Sequence, residues 1–321
     1  MTTCTRRAVL FLAVALAILS SAGVANASPL TDSYPVQSLG NRGSNVRAIQ
    51  GLLRAHGSAI AVDGVFADLT RAAVQAFQRG RGLSADGVVR ATTWEALQVS
   101  TRTGSTGEAV KALQRMLNEK RRAGLPVTGY YGSATRTAVE AFQRHYGMTA
   151  SGSVGPVTWR RIVAHFDYPS WSDRLCDYSV GNGTANWGTG AAIAQLEAAA
   201  SRFVTLGHGR VALGDISFEH GGDIPGHQTH EQGLDVDVRL IRKTENQCSY
   251  GATWRSSSYD RAATRDLIKA IRATAPGHVR LIYFNDPVLV DEGLTTAFSG
   301  HDDHLHIGYC EQAHPLTAYA C

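Results

Sequence analysis

The chain has 321 residues, 44% hydrophobic and 18% charged, and its 31 Lys and Arg against 27 Asp and Glu leave a formal net charge of +4. So small a balance excludes nucleic acid as the main partner, because that binding needs many phosphate-neutralising side chains on one face. The length exceeds one ordinary domain and predicts two or three.

Residues 1–27 read as a secretory signal peptide: Arg6 and Arg7 form the positive end, Ala8 to Ile18 the apolar stretch, and Ala25-Asn26-Ala27 a small-residue cleavage site. The apolar run is too short to span a bilayer comfortably. Cys4 precedes it, which argues against a lipid anchor at the cleavage point. Arg6 and Arg7 are the only charges of this segment, so its removal lowers the net charge from +4 to +2. Four cysteines then remain, Cys176, Cys248, Cys310 and Cys321, an even count that in an exported chain predicts two disulfides with three possible connectivities. A secreted, periplasmic or cell-wall location is expected, with no membrane contact after cleavage and a monomeric state.

Residues 36–163 contain an internal repeat. Val46 to Leu53 recurs as Val110 to Leu117, Thr70 to Gln78 as Thr135 to Gln143, and Thr93-Trp94 as Thr158-Trp159. Such a period means two copies of one small unit. Three helices are predicted in each copy. In the first copy Val46, Ile49, Leu52 and Leu53 form one apolar stripe with Ser44 placed to cap the start, a second helix runs from Asp68 to Arg79, and a short third one carries Trp94. The boundaries expected are 36–99 and 101–164, each unit a small all-α bundle with a thin core that leans on its aromatic residues. The turns Asp63-Gly64-Val65-Phe66 and Thr128-Gly129-Tyr130-Tyr131-Gly132, each followed by Thr-Arg-x-Ala-Val-x-x-Phe-Gln, resemble the peptidoglycan-binding domain of many cell-wall hydrolases. That resemblance implies affinity for wall glycan or stem peptide. The turn glycines and stripe residues themselves read as backbone geometry and core.

A connector with Pro169 and Trp171 leads into a third domain, 174–321. Helices are expected over 189–206 and 258–273, and strands over 210–217, 234–241, 279–284 and 304–309. Strands separated by turns with helices clustered around them predict an α+β domain with a mainly antiparallel sheet.

Two windows of this domain carry the chemistry, Gly226 to Val238 and His301 to His306. In the first, Leu234, Val236 and Val238 alternate with Asp235, Asp237 and Arg239, so the aspartates share one strand face. In the second, His304 and His306 share one side. The helical His-Glu-x-x-His zinc motif fails, since the position of its second histidine holds Leu234. His230, Asp237 and His306 instead offer three N and O donors for a Zn²⁺ ion with one position left open. Asp235 is as well placed to orient a ligand imidazole. His208, His220 and His314 lie outside the windows and read as ordinary loop histidines.

The His230 to Asp237 spacing with a distant His-x-His resembles the lysostaphin and D-Ala-D-Ala type of zinc metallopeptidase. With His227 and His301 added, in a His-x-x-His-x-x-Gly-Leu-Asp-Val-Asp context, the chain resembles the penicillin-insensitive murein endopeptidases. The resemblance implies a central sheet carrying the metal and places His304 and His301 as proton acceptor and oxyanion stabiliser, with the roles not apportioned between them and Asp302 or Asp303 as further candidates for the base. It places His227 as a contact to substrate or to a ligand. The expected activity is hydrolysis of the D-alanyl to diaminopimelyl cross-link of peptidoglycan. A D-Ala carboxypeptidase of the same group, or a non-catalytic wall-binding protein with a structural zinc, are the alternatives.

Overall fold

The computed structural model describes residues 34–179, 185–311, 314 and 316–321; the signal peptide expected over 1–27 lies outside them. The described residues form nine α-helices and five strands. The first repeat holds α1 (Ser44–Ala55), α2 (Asp68–Gly80) and α3 (Ala91–Leu97), and the second α4 (Glu108–Arg121), α5 (Ser133–His145) and α6 (Pro156–Ala164). Gly43, at a φ of 109°, is the residue before α1, so Ser44 begins the helix and does not cap it through its side chain.

One buried glutamine organises each turn of these repeats. Gln50 donates to Asp63, to the carbonyl of Val65 and to Thr70, and accepts from the backbone N–H of Gly64. Gln78, Gln114 and Gln143 do the same around Gly87, Gly129 and Gly152. Each side-chain amide thereby satisfies turn groups that burial would otherwise leave without partners. Gly64 and Gly129 sit at φ 75° and 77°, the left-handed region that disfavours a side chain.

The two repeats are not two separate thin cores. Helix α1 lies against α4, and Val46, Ile49, Leu52, Trp94, Val110, Leu113, Phe142 and Trp159 belong to one contiguous cluster of buried side chains. Gly51 faces Ala112, where a Cβ on Gly51 would come within 2.9 Å of the alanine methyl. The pair also docks on the third domain. A Cβ on Gly43 would meet the carbonyl of Gly190 at 2.1 Å, and the fully buried Lys120 pairs with Asp167 at 3.0 Å while donating to the carbonyl of His165 at 2.5 Å.

The third domain adds β1 (Leu175–Asp177), α7 (Gly190–Thr205), β2 (Val211–Leu213), β3 (Asp235–Arg239), α8 (Arg261–Thr274), β4 (Val279–Tyr283), α9 (Pro287–Asp291) and β5 (His304–Tyr309). Its sheet runs β1-β2-β3-β5-β4. The β1–β2 pair is parallel and the others antiparallel, which gives the mainly antiparallel α+β domain expected. Thr189 accepts from the N–H of Ala192 to cap α7, and Asp260 caps α8 in the same way. These helices pack together, and Leu196, Phe203, Leu267 and Ile271 bury one face of the sheet through Val236, Val238, Leu305 and Ile307. The alternate residues of β3 and β5 therefore look out from the opposite face. The short β1 and α9 were not expected, and β2 is shorter than the predicted strand.

Cys176 pairs with Cys248 and Cys310 with Cys321, which selects one of the three connectivities. Among the described residues no helix is long and apolar enough to cross a membrane.

Candidate metal centre and active site

Strand register builds the site. Asp237 of β3 stands opposite His306 of β5, and Arg239 opposite His304, so their side chains rise together from the open face of the sheet. His230 arrives from a 3-10 turn, His230–Gln232, that ends at Gly233 in the left-handed region, φ 66°.

Three donor atoms converge. His230 Nε2 lies 3.3 Å from His306 Nδ1 and 3.5 Å from Asp237 Oδ1, and His306 Nδ1 lies 3.1 Å from the same Oδ1. All three residues are buried. The far nitrogen of each ring is already engaged. His230 Nδ1 faces the carbonyl of Ile216 at 3.0 Å and His306 Nε2 faces Asp235 Oδ1 at 3.2 Å. Both partners only accept, so those nitrogens carry protons, and it is the other nitrogen of each ring that faces the triangle, donating to Asp237 when protonated and offering a lone pair once deprotonated. Asp235 is in turn held by Arg280 at 3.1 Å.

Burial alone would raise the carboxyl of Asp237, but hydrogen bonds from His227, His230 and His306 outweigh it and hold the group well below its ordinary range. Burial opposes a charge on His306, yet Asp235 and Asp237 push it up to about 9, so a cation entering here displaces a proton.

His227 Nε2 approaches the other oxygen of Asp237, Oδ2, at 3.2 Å, and Asp215 at 3.7 Å. His227, His230 and Asp237 also bring ligand atoms close enough to share an ion. Yet His227 lies on the Oδ2 side of the carboxylate and the His230–His306 pair on the Oδ1 side. Its pKa is raised, first by the hydrogen bond to Asp237.

His304 Nδ1 donates to Asp303 at 2.8 Å, and its Nε2 lies 3.8 Å from Asp237 Oδ1. His301 Nδ1 meets the carbonyl of Ser299 at 3.0 Å, its ring 4.8 Å from that of His304. Burial and then the neighbouring His304 lower the pKa of His301. Asp302 is turned away from the site: it accepts from Asn285 at 2.8 Å, Arg255 at 2.9 Å and Trp254 at 3.2 Å.

Two cavities meet at Asp237 and His304. One, of about 530 Å³, is walled by Tyr178, Asp215, Arg239, Thr253 and Asp303; the other, of about 480 Å³, by His227, Thr229, Tyr283, Phe298 and His301. Together they make a cleft open on both sides of the donor triangle. Tyr283 stacks on Phe298 at 4.6 Å and backs His306. Tyr178, Asp215, Tyr283 and Phe298 carried no motif in the sequence; a position opposite His306 in the sheet is what would have marked Tyr283.

Comparison with known proteins places these parts. Residues 42–97 and 106–162 match the family described as putative peptidoglycan binding domain, and residues 181–281 match that described as penicillin-insensitive murein endopeptidase. The zinc D-Ala-D-Ala carboxypeptidase of Streptomyces albus G is 32% identical over 209 residues, covering 64% of this chain and 73% of that protein. The N-acetylmuramoyl-L-alanine amidase CwlM of Mycobacterium tuberculosis is 36% identical over 102 residues, and the match spans only 25% of its length. A crystal structure of a peptidoglycan-binding protein from Clostridioides difficile is 39% identical over 21% of this chain and 41% of that one, with a TM-score of 0.20. The chain belongs to the penicillin-insensitive murein endopeptidase-like peptidases related to the zinc D-Ala-D-Ala carboxypeptidase, with two peptidoglycan-binding domains ahead of the peptidase domain.

Proposed function

We propose that this cell-wall peptidase is a secreted zinc endopeptidase that cuts stem-peptide cross-links in peptidoglycan, of the D-alanyl to diaminopimelyl type, and that its two N-terminal domains hold it on that polymer. The observation that carries the reading is the donor triangle. Ligands about 2.0–2.1 Å from a tetrahedral zinc ion lie about 3.3 Å from one another, and the three separations here are 3.1, 3.3 and 3.5 Å. Two imidazole nitrogens and a carboxylate oxygen suit zinc in kind as well as in spacing. His230, Asp237 and His306 are the proposed ligands, one short of the four of a structural site, which favours catalysis over a purely structural ion.

A zinc ion held there supplies an acidified water and an electrophilic pull on the scissile carbonyl. The residues around it do the rest. His304, with its Nδ1 proton fixed on Asp303, presents Nε2 towards the site and serves as general base and then acid. His301, its Nδ1 on a backbone carbonyl, stands beside it to stabilise the developing oxyanion. Asp235 fixes the tautomer of His306, and His227 steadies Asp237 through the oxygen that the ligand triangle leaves aside.

A cleft open on both sides of the triangle supports cutting within a cross-link, where peptide extends both ways. Arg239 in one lobe favours a second reading, because a D-Ala carboxypeptidase needs a cation for the terminal carboxylate. Digestion of purified sacculi followed by chromatography of the muropeptides separates the two. Loss of dimers with gain of monomers is expected; shortened monomers would favour the carboxypeptidase, and an unchanged profile would leave a wall-binding protein.

A further inference from the structure

A second histidine cluster lies away from the cleft, where the second binding domain meets the peptidase domain. His145 ends α5, His165 follows α6 in the connector, and His220 sits in the loop after β2. Their ligand atoms all lie within 4.8 Å of one another. His145 Nε2 and His220 Nε2 are 3.0 Å apart. The Glu219 carboxylate joins them, with Oε1 at 3.2 Å from His165 Nε2 and 3.5 Å from His145 Nε2.

We propose that His145, His165 and His220, with Glu219 as fourth donor, form a second site for a zinc-class divalent cation that ties the second binding domain to the peptidase domain. The proposal is independent of the catalytic assignment. Three imidazoles and a carboxylate supply the four donors that a closed structural zinc site uses. His165 is already oriented as a ligand. It is buried, and its Nδ1 faces the carbonyl of Phe166 at 2.6 Å, which puts the proton there and turns the Nε2 lone pair on the cluster. Tyr146 and Trp187 wall the cluster, with ring centres 5.8 and 5.4 Å from that of His165. Arg121 reaches His145 and His165 at 3.5 Å each and pairs with Glu219. That pairing uses the same Oε1 that faces His145 and His165, so a metal bound there would take Oε1 and shift Arg121 off it.

The site joins three segments: His145 and His165 lie 20 residues apart in the chain, and His220 a further 55 beyond. Fixing them to one ion removes freedom between the domains without touching the cleft.

The test counts metal on the mature full-length protein, dialysed against metal-free buffer and reloaded with zinc. Two equivalents per chain are expected, falling to one in His145→Ala/His220→Ala and to one in His230→Ala. His145→Cys should keep both, since a thiolate replaces an imidazole as ligand. One equivalent in the wild type that His230→Ala abolishes, or two that the double variant leaves untouched, would overturn the proposal. One equivalent that survives His230→Ala but not the double variant would keep the second site and sink the catalytic ligand assignment. If the double variant fails to fold, the comparison of wild type with His230→Ala decides alone.

Discussion

His304 and Asp303 form a dyad in which a carboxylate fixes the Nδ1 proton of a cleft imidazole at 2.8 Å, while Asp302, one residue earlier, is spent on Trp254, Arg255 and Asn285. The two neighbouring aspartates sit in the bend just before β5 and face different partners, and only Asp303 meets a cleft histidine. His304→Ala should lower kcat on cross-linked muropeptides by roughly 10²–10⁴-fold with zinc content unchanged, the usual worth of a positioned acid–base group. Asp303→Asn should cost less, with zinc again retained. Loss of zinc in either variant, measured by elemental analysis, would place His304 among the ligands.

Removing a ligand acts differently. His230→Ala should abolish activity together with one equivalent of bound zinc. Full turnover with full zinc would show the ligand assignment to be wrong.

Asp235 acts through His306. Asp235→Asn should weaken zinc affinity by roughly 10–100-fold, as loss of a carboxylate behind a ligand histidine does, while excess zinc restores much of the rate. A competition titration against a chelator reads the first effect and the restored kcat the second.

Glu311 gives a pH dependence outside the cleft. Burial pushes its carboxyl from 4.5 up to about 7. Between those values the folded chain holds a proton that the unfolded chain has released, so stability falls as pH rises through that window and stays lower above it. Glu311→Gln should flatten that part of the curve and gain at most about 3 kcal/mol at pH 8. Urea unfolding at pH 5 and pH 8 checks it; equal slopes for both proteins would count against a buried, protonated Glu311.

Lys120 tests the seam between the domains. Its side chain is fully buried on Asp167, and Lys120→Ala leaves that carboxylate buried without its charge partner. A loss of about 3 kcal/mol or more is expected from denaturant unfolding, with hydrolysis of soluble muropeptides retained at low temperature.

Residues already related by strand alternation were legible from the chain alone. The two-residue period put Asp235 with Asp237 and His304 with His306, and pairing of β3 with β5 then set Asp237 opposite His306. Helices α2 and α7 lie within one residue of their expected spans, because apolar spacing and a turn glycine mark both. What escaped depends on contacts between distant segments. No local pattern distinguishes Asp302 from Asp303 until Asn285 and Trp254 are in place. His220, read as a plain loop histidine, gains its company only when α5 and the connector fold beside it. Likewise the stripes of α1 and α4 each specify an apolar face but not that the faces cover one another.

Gly51 lets the first helix of one repeat rest on Ala112 of the other. A larger residue there would wedge the duplicated halves apart, so the joint between the copies depends on that glycine. In packing terms the doublet is one body, its two halves kept at a set spacing like the jaws of a caliper.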